Sequence, residues 1–303
     1  MIRTASLTKR FGAIVAVDDL DLDVRDGDIY GFLGANGSGK TTTVRMLLGL
    51  VLPTSGEIHV LGRPMPHAAA EVLPQVGALV EGPAAYAQLS GRTNLTLFDA
   101  AGGGRAGRRT RSRRVEQALD RVGLGGVDER PVRAYSLGMR QRLGLAAAVM
   151  RSPRLLVLDE PTNGLDPQGI SEIRTLLREL HAAGTTVLLL SHQLVEVEQL
   201  CSRVGVLDRG RLVLQEDLTT ISGPTGRVLV RTPEPDRARA LLDGQVEDVT
   251  GNRLLVRYAD PAALNALLVG AGLRVDELAP EHRTLEEAVL AATSAGSDRI
   301  ERR

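Results

Sequence analysis

The sequence contains a single cysteine, Cys201, so no internal disulfide can staple the fold. That residue falls in an apolar helical stretch after Leu194, Val197 and Leu200, where a packed core thiol is expected. No segment approaches the run of about twenty apolar residues that spans a bilayer, and Met1-Ile2-Arg3-Thr4 does not open a signal-peptide apolar region. A cytoplasmic location is the expectation. Net charge is also lacking: 37 Lys and Arg stand against 37 Asp and Glu, so the chain as a whole has no basic field of the kind that drives nucleic-acid binding. Sustained heptads are absent and there is one phosphate loop, not two, which argues against a coiled-coil arm or a tandem array.

That loop is complete. Gly34-Ala35-Asn36-Gly37-Ser38-Gly39-Lys40-Thr41-Thr42 lies between an apolar run, Ile29 to Leu33, and a helical pattern in which Val44, Leu47, Leu48 and Val51 share one face. Glycines let consecutive N–H groups turn inward around a polyphosphate, and the following helix presents its positive end to it. Lys40 then reaches the β- and γ-phosphates, while Thr41 offers a hydroxyl to Mg²⁺. A second acidic element follows at Arg154-Leu155-Leu156-Val157-Leu158-Asp159-Glu160. Its unbroken apolar run fits a parallel strand covered on both faces, with two carboxylates at its carboxyl end. Asp159 is the expected Mg²⁺ residue, and Glu160 the base that takes a proton from the water attacking the γ-phosphate.

Between these elements lies Tyr135-Ser136-Leu137-Gly138-Met139-Arg140-Gln141-Arg142, followed by Leu143, Ala146, Ala147 and Met150 at helical spacing. Ser136 and Gly138 thus stand at a helix N-terminus, a second anion site if it is more than an ordinary N-cap.

The order of these elements, over residues 2 to 216, resembles the nucleotide-binding subunit of an ATP-binding cassette (ABC) transporter. Ser136 and Gly138 match two positions of that family's signature, with Leu137 in place of its central Gly and Met139 in place of its Gln. Pro161 to Asp166 continue from Glu160 as the family's D-loop does, and His192 follows the strand Val187 to Leu190 as its γ-phosphate-sensing histidine does. Phe11 stands where the family stacks an aromatic ring on adenine; a core Phe is the alternative. Glu81, in Val76 to Pro83, takes the place of the Q-loop glutamine. That exchange resembles the bacitracin-type and lantibiotic-immunity exporter ATPases, and it adds a carboxylate near the metal, able to coordinate but not to donate a hydrogen bond. Together with the C-terminal stretch Thr284-Leu285-Glu286-Glu287-Ala288, it resembles the drug and peptide-antibiotic exporter group.

The resemblance implies an α/β P-loop NTPase cassette with a RecA-like core (residues 1–220) and a helical subdomain at about residues 83–150. It implies ATP and Mg²⁺ as ligands, with the metal at Thr41, Asp159 and Glu81. Gly34, Asn36, Gly37, Ser38, Gly39, Lys40, Thr41, Thr42, Ser136, Gly138, Phe11 and Asp166 would contact nucleotide. Two copies would pack head to tail, ATP lying between Lys40 of one and Ser136 of the other. A separate transmembrane permease would meet the stretch Tyr86 to Leu97 and place the protein on the inner face of the cell membrane. Exporter ATPase is the favoured function, and nucleic acid is not an expected partner; importer ATPase, a soluble cassette acting on ribosome or nucleic acid, and a binding module without catalysis are the alternatives.

Two regions lie outside these motifs. Arg105, Arg108, Arg109, Arg111, Arg113 and Arg114 follow Gly102-Gly103-Gly104; a solvated arginine-rich loop is preferred there to a membrane-facing patch. After the linker Thr219 to Pro224, residues 221–303 read as a small ferredoxin-like α+β domain. Its order is a strand at 227–231, a helix at 237–242, a strand near Val246, a strand at 253–258, a helix at 262–268 and a strand at 273–278. A last helix places Leu285, Ala288, Val289 and Ala292 on one face, and residues 297–303 read as a frayed tail. This region carries no metal spacing or nucleophile; structural or dimer support is preferred to regulation.

Overall fold

The computed structural model describes residues 1–82, 84–102, 109–126 and 129–297. Pro83, Arg105, Arg108 and the end of the tail therefore lie outside the described residues. Cα packing divides the chain into two units, Met1–Leu218 with the end from Ala292, and Thr219–Ala291.

The first unit is built on a six-stranded sheet in the order Arg211–Asp217, Arg203–Asp208, Ile29–Leu33, Thr186–Ser191, Leu155–Asp159, Val76–Leu79. All neighbours are parallel except the first pair, which forms an antiparallel hairpin. All five residues of Ile29–Leu33 and all six of Thr186–Ser191 are buried, as continuous apolar strands covered on both faces require. Their parallel register brings Leu33 beside Ser191 and Leu190 beside Asp159. The phosphate loop, the acidic pair and His192 consequently emerge at one edge of the sheet, where open α/β sheets bind ligands.

The helix after the phosphate loop, Lys40–Leu47, is shorter than its apolar pattern suggests. Leu48 and Val51 lie beyond it, because Gly49 takes a left-handed backbone (φ 70°) and ends the helical path. An antiparallel sheet containing Ile2–Phe11, Ile14–Leu20 and Ser55–Val60 completes this part of the unit.

The helical subdomain contains Gly91–Ala101, Arg111–Arg121 and Leu137–Val149. Asp99, with a side chain 1% exposed, accepts hydrogen bonds from Arg111 (3.0 Å), Arg114 (2.6 Å) and Arg151 (3.2 Å). The expectation of a solvated arginine loop is thus corrected for Arg111 and Arg114. A buried carboxylate must be paired, and this one draws both arginines inward.

The second unit has the antiparallel strand order Val246–Thr250, Arg253–Arg257, Pro224–Arg231, Glu277–His282, with helices Pro235–Leu241 and Pro261–Gly270 in the crossovers. This is the ferredoxin-like arrangement. The last strand lies about four residues later than its apolar pattern suggests. Leu273 instead closes the core at the end of a helix, and the edge position of Glu277–His282 tolerates Pro280. In the final helix, Leu285–Ser297, Leu285 and Ala288 are buried. Thr284 and Glu287 exchange reciprocal capping bonds at its start.

Candidate nucleotide site

Glycine is required in the phosphate loop for two reasons. A Cβ on Gly39 would lie 2.4 Å from the Ala16 carbonyl oxygen, and its φ of 108° suits no L side chain. A Cβ on Gly34 would meet the Leu207 carbonyl at 2.4 Å and Ser38 Oγ at 2.5 Å. Gly37, also left-handed (φ 81°), turns the outer part of the loop. With Gly39 as the N-cap of Lys40–Leu47, no side chain caps the free N–H groups at that helix end. Ser38 Oγ is buried and has no hydrogen-bond partner among the described residues. Uncapped N–H groups, an unpartnered buried hydroxyl and a buried ammonium together suit a polyphosphate.

Lys40 Nζ donates to the carbonyls of Gly34 and Ala35, the latter at 3.2 Å. Burial pulls the Lys40 ammonium below the ordinary lysine value, against the nearby charges of Glu160 and Asp159. Thr41 Oγ1 donates to Asp159 Oδ2 at 3.3 Å. Burial, followed by the charge of Glu160, raises the Asp159 carboxyl above the ordinary range; Thr41 and Lys40 oppose the shift and Glu81 adds to it. A hydroxyl and a carboxylate oxygen at this separation form a hard-oxygen pair suited to Mg²⁺.

Glu160 follows with a left-handed backbone (φ 50°) that turns its side chain away from the line of Asp159. Its Oε1 lies 2.7 Å from His192 Nδ1, while Oε2 is buried and has no partner among the described residues. Phe11 is 49% exposed at the end of Ile2–Phe11, so it is not a core ring, and Lys9 Nζ lies 4.8 Å from its centroid. Glu81, also left-handed (φ 59°), is ion-paired with Arg45 of the phosphate-loop helix.

The other sequence-predicted residues lie on a second cluster. Ser136 is the N-cap of Leu137–Val149 and accepts from the Met139 N–H at 3.2 Å. Asp166 caps Pro167–Ala182, accepting from Gly169 N at 2.8 Å. Gly138 packs on the D-loop, where a Cβ would lie 3.0 Å from Leu165 and 3.3 Å from the Gly164 carbonyl. Among the described contacts, none joins Ser136, Gly138 or Asp166 to Lys40 or Asp159. Sequence reading overlooked Arg45 and Gln141. Gln141 could have been noticed as a polar residue four positions before the apolar Leu145 on the same helix face.

Residues 17–163 match the family described as ABC transporter, and residues 226–286 match a domain of unknown function, DUF8746. The chain is 36% identical to the uncharacterized ABC transporter ATP-binding protein YcbN of Bacillus subtilis over 296 residues, covering 95% of both chains. This chain belongs to the ABC transporter ATP-binding proteins. As such it is an ATP-binding ATPase subunit of a transporter. It is also 45% identical to the bacitracin transport ATP-binding protein BcrA of Bacillus licheniformis, over 70% of this chain and 68% of that one. To the daunorubicin resistance ATP-binding protein DrrA3 of Streptomyces coeruleorubidus it is 38% identical, over 96% and 94%. Among solved structures, the ATP-binding subunit of an ABC transporter superposes with a TM-score of 0.67 at 27% identity, over 73% of this chain and 91% of that one. The ABC cassette fold and the nucleotide expected from the sequence are thereby established. No described helix is long and apolar enough to cross a membrane.

Proposed function

We propose that this chain hydrolyses ATP to drive an exporter whose membrane-spanning part is a separate chain. The observation that carries the catalytic part is the divided carboxylate of Glu160, with one oxygen on His192 and the other buried and without a partner among the described residues, while its charge acts on Lys40 and Asp159. The unpartnered oxygen supplies the acceptor for a proton from the attacking water, and His192 fixes the orientation of the other. Lys40 binds the β- and γ-phosphates. Thr41 and Asp159 would hold Mg²⁺, with Glu81, now paired with Arg45, as a further oxygen donor. When bound, the ion would supply positive charge against that developing on the transferred phosphoryl group. Gly34, Asn36, Gly37, Ser38, Gly39 and Thr42 complete the cradle, and Phe11 stacks on adenine.

Ser136, Gly138 and Asp166 then belong to the opposite half of a composite site. No described contact joins them to Lys40 within one chain; a second copy, packed head to tail, would bring its own set to this nucleotide. We assign residues 1–220 to the ATP-binding domain and 221–303 to an accessory domain that supports the pair.

Export is supported by the acidic residue at position 81 and by relatives named for bacitracin transport and daunorubicin resistance. The permease has an apolar cleft of about 670 Å³ to occupy, lined by Leu50, Leu73, Val80, Ala85, Phe98 and Met150 among others, next to Tyr86–Leu97. Docking there would hold the subunit on the inner face of the membrane.

Affinity purification from native membranes, with ATPase assays of the recovered complex and of its Glu160→Gln form, tests this reading. A polytopic partner and turnover that depends on Glu160 are expected. Ribosomes or nucleic acid in its place would overturn the transporter assignment.

A further inference from the structure

Three contacts bolt the helix Leu137–Val149 to the catalytic segment of the same chain. Leu137 lies over Gly164 in the D-loop, so closely that a Cβ there would stand 2.3 Å from Leu137 Cδ2. Arg142 pairs with Glu172 (2.7 Å) on the helix Pro167–Ala182, just beyond the D-loop, and its bond to the Val122 carbonyl (3.0 Å) ties it to the neighbouring helix Arg111–Arg121. Between them, Gln141, a buried amide only 6% exposed, donates from Nε2 to the backbone carbonyl of Glu160 at 2.9 Å. The same carbonyl accepts from Asn163 N at 3.2 Å, and the Glu160 N–H donates to Leu190 O at 3.0 Å.

Only one of these holds on the Glu160 peptide comes from a side chain. The backbone it grips is left-handed at a residue that is not glycine (φ 50°), a conformation that persists only where the surroundings over-determine it. That turn aims the Glu160 carboxylate. A buried amide inside an apolar helix stripe carries a desolvation cost, and here it is used to fix the turn.

We propose that Gln141 is a positioning residue for Glu160 and the mechanical link between the two composite sites. This rests on the head-to-tail reading above. In such a pair, Ser136 at the N-terminus of this helix meets the nucleotide bound by the partner, while Glu160 serves the nucleotide on its own Lys40. A shift of the helix when the partner's nucleotide docks on Ser136 is transmitted one turn along, through Gln141, to the Glu160 peptide. The base at one site is thereby aligned by occupancy of the other.

Steady-state ATP hydrolysis against ATP concentration, measured for the wild type, Gln141→Met and Gln141→Glu, tests the link alongside fluorescent-nucleotide binding and thermal melts. Gln141→Met keeps length and bulk but donates nothing. A fall in kcat of about tenfold is expected, equivalent to about 1.4 kcal/mol of barrier, with KM, nucleotide affinity and Tm close to wild type and the Hill coefficient moved towards one. Gln141→Glu puts an acceptor against the Glu160 carbonyl and should lose more. Unchanged kcat and Hill coefficient in Gln141→Met, or nucleotide affinity falling in step with kcat, would overturn the link. Absence of Glu160-dependent hydrolysis in the wild type would instead sink the function proposed above, and this inference with it.

Discussion

His192 Nδ1 and Glu160 Oε1 stand 2.7 Å apart, with the histidine half exposed and the carboxylate largely buried. They come from the ends of neighbouring strands, Thr186–Ser191 and Leu155–Asp159, whose parallel register delivers both to one edge. His192→Ala should leave nucleotide affinity within a few-fold of wild type and lower kcat by about 10²-fold, the low end of what a group acting through an acid–base pair contributes. Parallel measurements of turnover and nucleotide binding decide it. Equal loss in both would make His192 a binding residue.

Leu137 occupies the space that a side chain on Gly164 would need, and Gly164 is left-handed (φ 76°). Gly164→Ala should therefore cost about 2–3 kcal/mol, from overpacking and backbone strain together. Adding Leu137→Gly should recover the steric part only. Chemical denaturation of the two single variants and the double variant reads this as a coupling energy; strict additivity would show that the side chains do not meet.

The Asp99 cluster predicts an acid-sensitive subdomain. Burial pushes the Asp99 carboxyl upward, but hydrogen bonds from Arg114 and Arg111 and the charge of Arg151 outweigh it, leaving the group below its ordinary value. Its folded value is depressed, so its stabilisation is complete above the unfolded carboxylate value and is lost as pH falls through the folded one. Wild-type Tm should decline as pH drops from about 5 towards 3. Asp99→Ala should cost roughly 3–5 kcal/mol at neutral pH, by stranding guanidinium groups, and should flatten that decline. A variant melting with the same pH slope as wild type would remove Asp99 as its source.

Cys201 lies just past the helix Leu194–Leu200, against the main core, where burial and the charge of Glu196 push its thiol up. Alkylation by iodoacetamide at pH 8 should be slow in the folded protein and fast in denaturant, since the thiolate is the reacting form. Equal rates in the two states would show the thiol to be accessible.

The elements legible in sequence were those whose chemistry is local. Gly34 to Thr42 need their glycines because backbone atoms close around the loop, and Leu155 to Asp159 announce a covered strand by an unbroken apolar run. The arginines after Gly104 look solvated in sequence because the chain is rich in Arg and Gly. Their partner Asp99 is twelve and fifteen residues away from Arg111 and Arg114, and 52 from Arg151. Gln141 looked like one more helix residue until the fold laid the Glu160 carbonyl against it, 19 positions on. By itself, then, the sequence determined the nucleotide chemistry, through residue types at fixed short spacing. Only the tertiary structure decided that Arg45 engages Glu81, that Asp99 gathers three arginines and that Gln141 grips Glu160, because each depends on elements meeting across the fold; for Asp99 and Gln141, burial leaves a charge or an amide in need of a partner.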